Sequence, residues 1–215
     1  MMKVEQFCGQ LQEALAGRVP KIQNETDYFS SAVVVPLIRQ GDELGVLFEV
    51  RSAKLAWQPG QICFPGGRIE PYDANPEAAA QRETCEELGL TTDDFQLFGQ
   101  LDYMVSPIGV IVYPYAGYIY DLTQVCPSKD EVAEVFVVPL EYLLATEPQT
   151  ADMEVATRPL PGFPHQLVPD DYPRDWLRRA TYPVLFYQYG DHVIWGLTAR
   201  LLYNFICICR NMGKK

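Results

Sequence analysis

The chain has 215 residues, 48% of them apolar, enough for a single domain with a substantial core and no disulfide support. Its 17 Lys and Arg against 28 Asp and Glu leave a net charge of −11, which excludes a basic surface for nucleic acid. A phosphorylated substrate is not excluded, because a bound cation can invert the local field.

Six cysteines (Cys8, Cys63, Cys85, Cys126, Cys207 and Cys209) form no C-x-x-C pair and stand mostly among apolar residues. Buried free thiols in a reducing compartment are the expectation. No basic-then-apolar leader opens the chain, so the expected location is the cytoplasm. Val4, Phe7, Cys8, Leu11 and Leu15 recur at helical spacing and predict an amphipathic helix over about 3–17. Runs 31–39 and 43–51 are rich in strand formers and are joined by Gln40-Gly41-Asp42, a hairpin-like connection. The second strand delivers Arg51 to a glycine-bearing loop, where it either ends the strand in solvent or grips phosphate.

The stretch 60–90 carries most of the information. Asn75 suits an N-cap and Pro76 the first helical position, where its missing N–H costs nothing. Good helix formers follow to Leu88, and Gly89 stands where a C-terminal cap is wanted. That helix over 76–88 crowds its own carboxylates. Glu83 lies four residues from Glu87 and three from Glu86. Each like-charge pair costs roughly 0.2–0.5 kcal/mol, and anions in a last turn oppose the helix dipole. Arg82 cannot answer three carboxylates. A hard divalent cation such as Mg²⁺ can, keeping waters or substrate phosphates as further ligands. A solvated acidic face is the alternative that the helix alone leaves open. Just upstream, Gly66 and Gly67 in Phe64-Pro65-Gly66-Gly67 allow the backbone to turn sharply and approach a ligand closely.

Together these residues resemble the Nudix box, G-x5-E-x7-R-E-U-x-E-E-x-G-U with U aliphatic. Gly67, Arg82, Glu83, Glu86, Glu87, Gly89 and Leu90 fall into register. Asp73 stands where the box has Glu, eight residues rather than seven separate it from Arg82, and Thr84 takes the first aliphatic position. The first two departures are shared with the coenzyme A diphosphatase-like branch, whose box follows R-S-x-x-L…G-x-V-x-F-P-G-G. This chain reads Arg51-Ser52-Ala53-Lys54-Leu55, then Gly60-Gln61-Ile62-Cys63-Phe64-Pro65-Gly66-Gly67. Ala56 and Gln58 stand where many of that branch carry Arg and His; Lys54 or a stacking Trp57 are the local substitutes.

Beyond the box, 95–103 and 110–120 are rich in apolar, β-branched and aromatic residues and predict two more strands. Ser106-Pro107-Ile108-Gly109 turns between them. The segment 129–140 runs from an acidic turn into a strand, and 139–145 predicts a short helix. Residues 146–181, rich in Pro and Asp, predict a long irregular insertion packed over the body or serving the site. Its His165 reads as a surface or hydrogen-bonded residue. A last strand is predicted over 182–189 and an apolar helix over 192–208. Arg200 and Asn204 inside that helix mark a core or dimer element rather than a membrane span. Its Trp195-Gly196-Leu197-Thr198-Ala199 resembles the W-G-x-T-A segment that closes the same branch.

The resemblance implies one α+β domain over 1–215, an α/β/α sandwich with a mixed sheet between helices. It implies a metal-dependent hydrolase in which Glu83, Glu86, Glu87 and the Gly67 carbonyl bind Mg²⁺ or Mn²⁺. Arg82 would orient the glutamates. Glu131 or Glu134 would take a proton from water as general base. Arg51, Lys54, Gly66 and Gly67 would meet the substrate phosphates. Three functions follow: cleavage of coenzyme A or acyl-coenzyme A, cleavage of ADP-ribose, nucleotide sugars or other nucleoside diphosphate derivatives, and a non-catalytic ligand sensor. The apolar terminal helices offer faces for a homodimer.

Overall fold

A computed structural model describes residues 4–19 and 22–213. Its central strand, β1 (Phe29–Gln40), follows from an uninterrupted apolar run. Successive side chains of a strand point to opposite faces, so Ala32, Val34 and Ile38 enter one core and Val33, Val35 and Leu37 the other. The strand therefore needs cover on both sides. β7 (Val110–Ile119) runs parallel to it from Phe29↔Val110 to Ile38↔Ile119. On the other edge, β2 (Glu43–Arg51) returns antiparallel against the end of β1, and β4 (Gly66–Arg68) pairs antiparallel with its beginning. β3 (Ile62–Cys63) and β8 (Val132–Pro139) pair with β2, while β5 (Phe95–Gln100) and β6 (Met104–Ser106) pair with β7. The expected mixed sheet is present.

Helix α2 (Pro76–Leu88) covers one face. Ala79 and Ala80 pack with Ala32 and Val34, and Leu88 with Ile38, Leu47 and Ile119. Both ends form as read from the sequence. Asn75 Oδ1 accepts from the Ala78 N–H at 2.8 Å, and Gly89, at φ 66°, donates its N–H to the Cys85 carbonyl. Thr84, at a position where the motif wants an aliphatic residue, is buried with its hydroxyl donating to the Ala80 carbonyl at 2.7 Å. The opposite face is covered by α3 (Leu140–Ala145) and α4 (Gly196–Asn211), whose Leu143, Leu202, Phe205 and Ile206 share a core with Val35, Val46, Phe48 and Phe64.

Three expectations are corrected. The stretch 146–181 is not an irregular insertion: it holds β9 (Gln149–Thr157) and the start of β10 (Leu177–Tyr189), paired antiparallel from Leu177↔Thr157 to Phe186↔Gln149. Of its prolines, Pro148 precedes β9 and Pro159, Pro161, Pro164, Pro169 and Pro173 fall in the 158–176 connection. The final helix begins at Gly196, not at 192, because His192–Trp195 forms β11 and pairs back on β10 through the Gly190 turn, where φ is 57°. The thiols are all free, but none is fully buried; Cys8 and Cys126 are exposed and the other four half-buried. Helix α1 (Val4–Leu15) explains Cys8, for no residue of that helix is buried. The first residue of its predicted span, 3, lies outside the described residues. No helix among the described residues is long and apolar enough to cross a membrane.

The α2 C-terminus generates a stability prediction. A Cβ at Gly89 would collide with the Cys126 carbonyl oxygen, and left-handed backbone alone costs an L-residue about 1–2 kcal/mol. Gly89→Ala should lower the urea midpoint of unfolding by at least that equivalent. An unchanged midpoint contradicts this account of the helix end.

Candidate active site

The site lies where α2 crosses the glycine strand. Gly66 adopts φ 146°, and its N–H donates to Glu87 Oε2 at 2.7 Å. A side chain at Gly67 would place its Cβ 2.5 Å from the Glu83 carboxyl carbon. The two glycines thus let β4 lie directly against two carboxylates one helical turn apart. Arg82 organises the flank. Its Nε and Nη2 donate to both oxygens of Asp73 at 3.0 and 2.9 Å, and its Nη1 to Glu83 Oε1 at 2.8 Å and Glu86 Oε2 at 3.1 Å. Nη2 also reaches the Arg68 carbonyl at 3.1 Å. The guanidinium beside Asp73 holds that carboxyl below its ordinary value. The aspartate at the motif's glutamate position, displaced by one residue, therefore makes a two-pronged ion pair that fixes Arg82.

A residue that the sequence reading did not select lies beside these carboxylates. Glu49 follows Leu47 by two on β2, so it shares the face turned to α2, and it is 0% exposed. The Cys63 thiol donates to its Oε1 at 3.2 Å, and Oε2 has no hydrogen-bond partner. Glu87, 6% exposed, is its neighbour across the layer. Burial raises both carboxyls well above the ordinary carboxylate value, and the Glu49 charge raises Glu87 further. Burial likewise raises Glu83 and the Cys63 thiol. The sequence did hold a signal for Glu49: one carboxylate interrupts the apolar run Val46-Leu47-Phe48-Glu49-Val50 on a strand, where a charge is rarely buried unpaired.

The remaining candidates fall into two groups. Arg51 stands near this centre, lowering Glu49 and Glu87 by its charge, while its Nε donates to the Trp57 carbonyl at 3.4 Å. Glu131 is exposed, and its charge reaches both Glu49 and Glu83. Its loop is tied to the end of β2 by the Ser52 N–H donating to the Glu131 carbonyl at 2.8 Å and by Lys54 Nζ to Asp130 Oδ1 at 2.7 Å. Glu134 lies elsewhere, 3.4 Å from His192 Nε2, on a ring that stacks against Phe136 at 3.8 Å. That pair borders a separate cleft of about 350 Å³ with Pro59, Gln61 and Trp195. Glu86 is the most exposed of the three motif carboxylates, and it pairs with Arg82. Among the described residues no three His, Cys, Asp or Glu side chains gather tightly enough to encircle a cation as they stand.

The donor set nonetheless fits a divalent cation. Glu49, Glu83 and Glu87 offer hard oxygens beside a backbone strand, and Glu49 Oε2, buried with no hydrogen-bond partner, leaves an acceptor that a cation would satisfy.

Known proteins resemble this chain in sequence and in fold. The sequence pattern of the NUDIX domain matches residues 28–158. The mouse peroxisomal coenzyme A diphosphatase NUDT7 is 42% identical over 113 residues, 53% of this chain and 48% of that protein. The human mitochondrial coenzyme A diphosphatase NUDT8 is 34% identical over 173 residues, covering 79% of this chain and 65% of that one. The match thus spans about half of the mouse relative and somewhat under two thirds of the human one. An uncharacterized Nudix hydrolase, NudL of Citrobacter koseri, is 31% identical over 185 residues, 85% of this chain and 84% of its own. In three dimensions a MutT/nudix family protein from Enterococcus faecalis aligns with 98% of this chain and 71% of its own at a TM-score of 0.51 and 16% identity, a likeness of fold.

The raised carboxyls fix a pH dependence. With both pKa values above those of the unfolded chain, the folded protein holds protons that the unfolded chain has released, so stability falls as pH rises. In chelator, the urea midpoint should decrease between pH 4.5, the ordinary value, and about 9. Asp73, whose pKa is lowered, acts only below that window. A midpoint that is flat or rising across it contradicts the buried-carboxylate description.

Proposed function

The chain belongs to the Nudix family, and from that premise we propose that it cleaves the diphosphate bond of coenzyme A or an acyl-coenzyme A, releasing a phosphopantetheine and 3′,5′-ADP. The observation that carries the reading is the glycine strand laid against Glu83 and Glu87 with Arg51 beside it. The Arg51-Ser52-Ala53-Lys54-Leu55 and Gly60–Gly67 pattern and the relatives named coenzyme A diphosphatases support the choice of substrate.

Nudix hydrolases generally use divalent metals; Mg²⁺ or Mn²⁺ would sit among Glu83, Glu87 and the Gly67 carbonyl, where it would neutralise phosphate charge and lower the pKa of a bound water. The chain's own groups have distinct tasks. The Gly66 N–H fixes the rotamer of Glu87, and Arg82, locked on Asp73, fixes that of Glu83. Arg51 faces the substrate phosphates, for which a guanidinium offers a bidentate grip. Glu131 accepts the proton of the attacking water, since its charge is felt at Glu83 while Glu134 is engaged with His192. Trp57, 74% exposed, offers a ring on which a base can stack.

A second reading keeps the chemistry and changes the substrate to ADP-ribose or a nucleotide sugar. It is favoured by the engagement of Lys54 with Asp130 and by the neutral Ala56 and Gln58, which leave Arg51 to recognise a 3′-phosphate.

Hydrolysis of coenzyme A, dephospho-coenzyme A, ADP-ribose and a nucleotide sugar, assayed side by side with Mg²⁺ or Mn²⁺, separates these readings. Preference for coenzyme A over its dephospho form, lost in Arg51→Ala, is the expected result. Equal or faster cleavage of ADP-ribose overturns the coenzyme A reading. On the preferred substrate, Glu87→Gln should cut turnover by orders of magnitude with the fold intact. Glu131→Gln should lower kcat about 10²–10⁴-fold and Glu134→Gln far less. The reverse order would move the general base to Glu134.

A further inference from the structure

We propose that Glu49, on β2, belongs to the metal-binding set, so that the cation is held between strand and helix rather than by the helix carboxylates alone. The inference rests on the metal-dependent reading above and extends it to a residue outside the motif.

Glu49 is fully buried and lies on the β2 face that meets α2, together with Leu47. Neither its placement nor its contacts suit a structural ion pair. Arg51, two residues on, spends its Nε hydrogen bond on the Trp57 carbonyl. The Cys63 thiol donates to Oε1 at 3.2 Å and so helps to orient the carboxyl. Oε2 is left without a hydrogen-bond partner, and the Glu87 carboxyl is its neighbour across the layer. Glu87 in turn is anchored through one oxygen by the Gly66 N–H. Two anchored, buried carboxyls facing one another must take up protons or share a cation between them. A hard divalent cation satisfies both at once. Cys63 then acts as a positioning residue: it orients a ligand and is not one itself, since its S–H donates a hydrogen bond to the carboxylate.

The test is Mn²⁺ affinity, read by the loss of the free-ion electron paramagnetic resonance signal on titration without substrate. Wild type, Glu49→Gln, Glu49→Asp and Glu87→Gln are compared. Loss of a ligand or of its immediate support typically weakens metal binding about 10–100-fold, and that rise in Kd is expected for Glu49→Gln, with a smaller rise for Glu49→Asp. Glu49→Gln removes a buried charge, so circular dichroism in chelator should show it folded and at least as heat-stable as wild type. Should Glu49→Gln fail to fold, Glu49→Asp carries the test. Unchanged Mn²⁺ affinity in the folded Glu49 variants, with affinity lost in Glu87→Gln, overturns the role of Glu49 and leaves the metal-dependent reading standing. Unchanged affinity in Glu87→Gln as well overturns both.

Discussion

Two carboxyl groups buried against each other, Glu49 from a strand and Glu87 from the helix above it, are the constraint around which this structure is arranged. A fold can carry such a pair only if it supplies donors, protons or a cation. Here the donors are few, one thiol and one backbone amide. The imbalance sits beside the glycine strand, not at the periphery, and that position gives it chemical meaning. Nothing bulkier than glycine could stand at Gly67 without displacing the Glu83 carboxylate.

The rest of the architecture holds those groups in place. β1 is apolar on both faces, so it must lie between layers, and β2 inherits the same burial. Alternation along β2 then sends Val46 and Phe48 into the core under α4 and Leu47 and Glu49 toward α2. The helix is held in register by its Asn75 and Gly89 ends and by small residues, Ala79 and Ala80, that let it approach the sheet closely. Arg82 extends the arrangement outward through its two-pronged pair with Asp73. The glutamates are therefore pre-positioned, as catalysis by electrostatic complementarity requires.

Much of this is legible in the sequence. The helix over 76–88 announced itself through Asn75-Pro76 at one end and Gly89 at the other, and the motif carboxylates through their unfavourable spacing. Those are local signals, written within one turn of helix. Glu49 was not found, because its significance depends on which face of a strand meets which helix, a tertiary fact. The same holds for choosing between Glu131 and Glu134, three residues apart on one segment yet directed to different surroundings. β9 and β10 were hidden by proline and aspartate content, while long-range pairing from Leu177↔Thr157 onward decided the matter. His192–Trp195 shares the apolar character of the helix that follows, so composition alone could not divide them.

On the proposed reading, the buried carboxylates bind a divalent cation. Anomalous diffraction from a crystal of the protein soaked in Mn²⁺ tests it most directly. A peak bounded by Glu83, Glu87, the Gly67 carbonyl and Glu49 is the expected result. Manganese bound only elsewhere, for example at Glu134 and His192, or no ordered manganese at all, would contradict it.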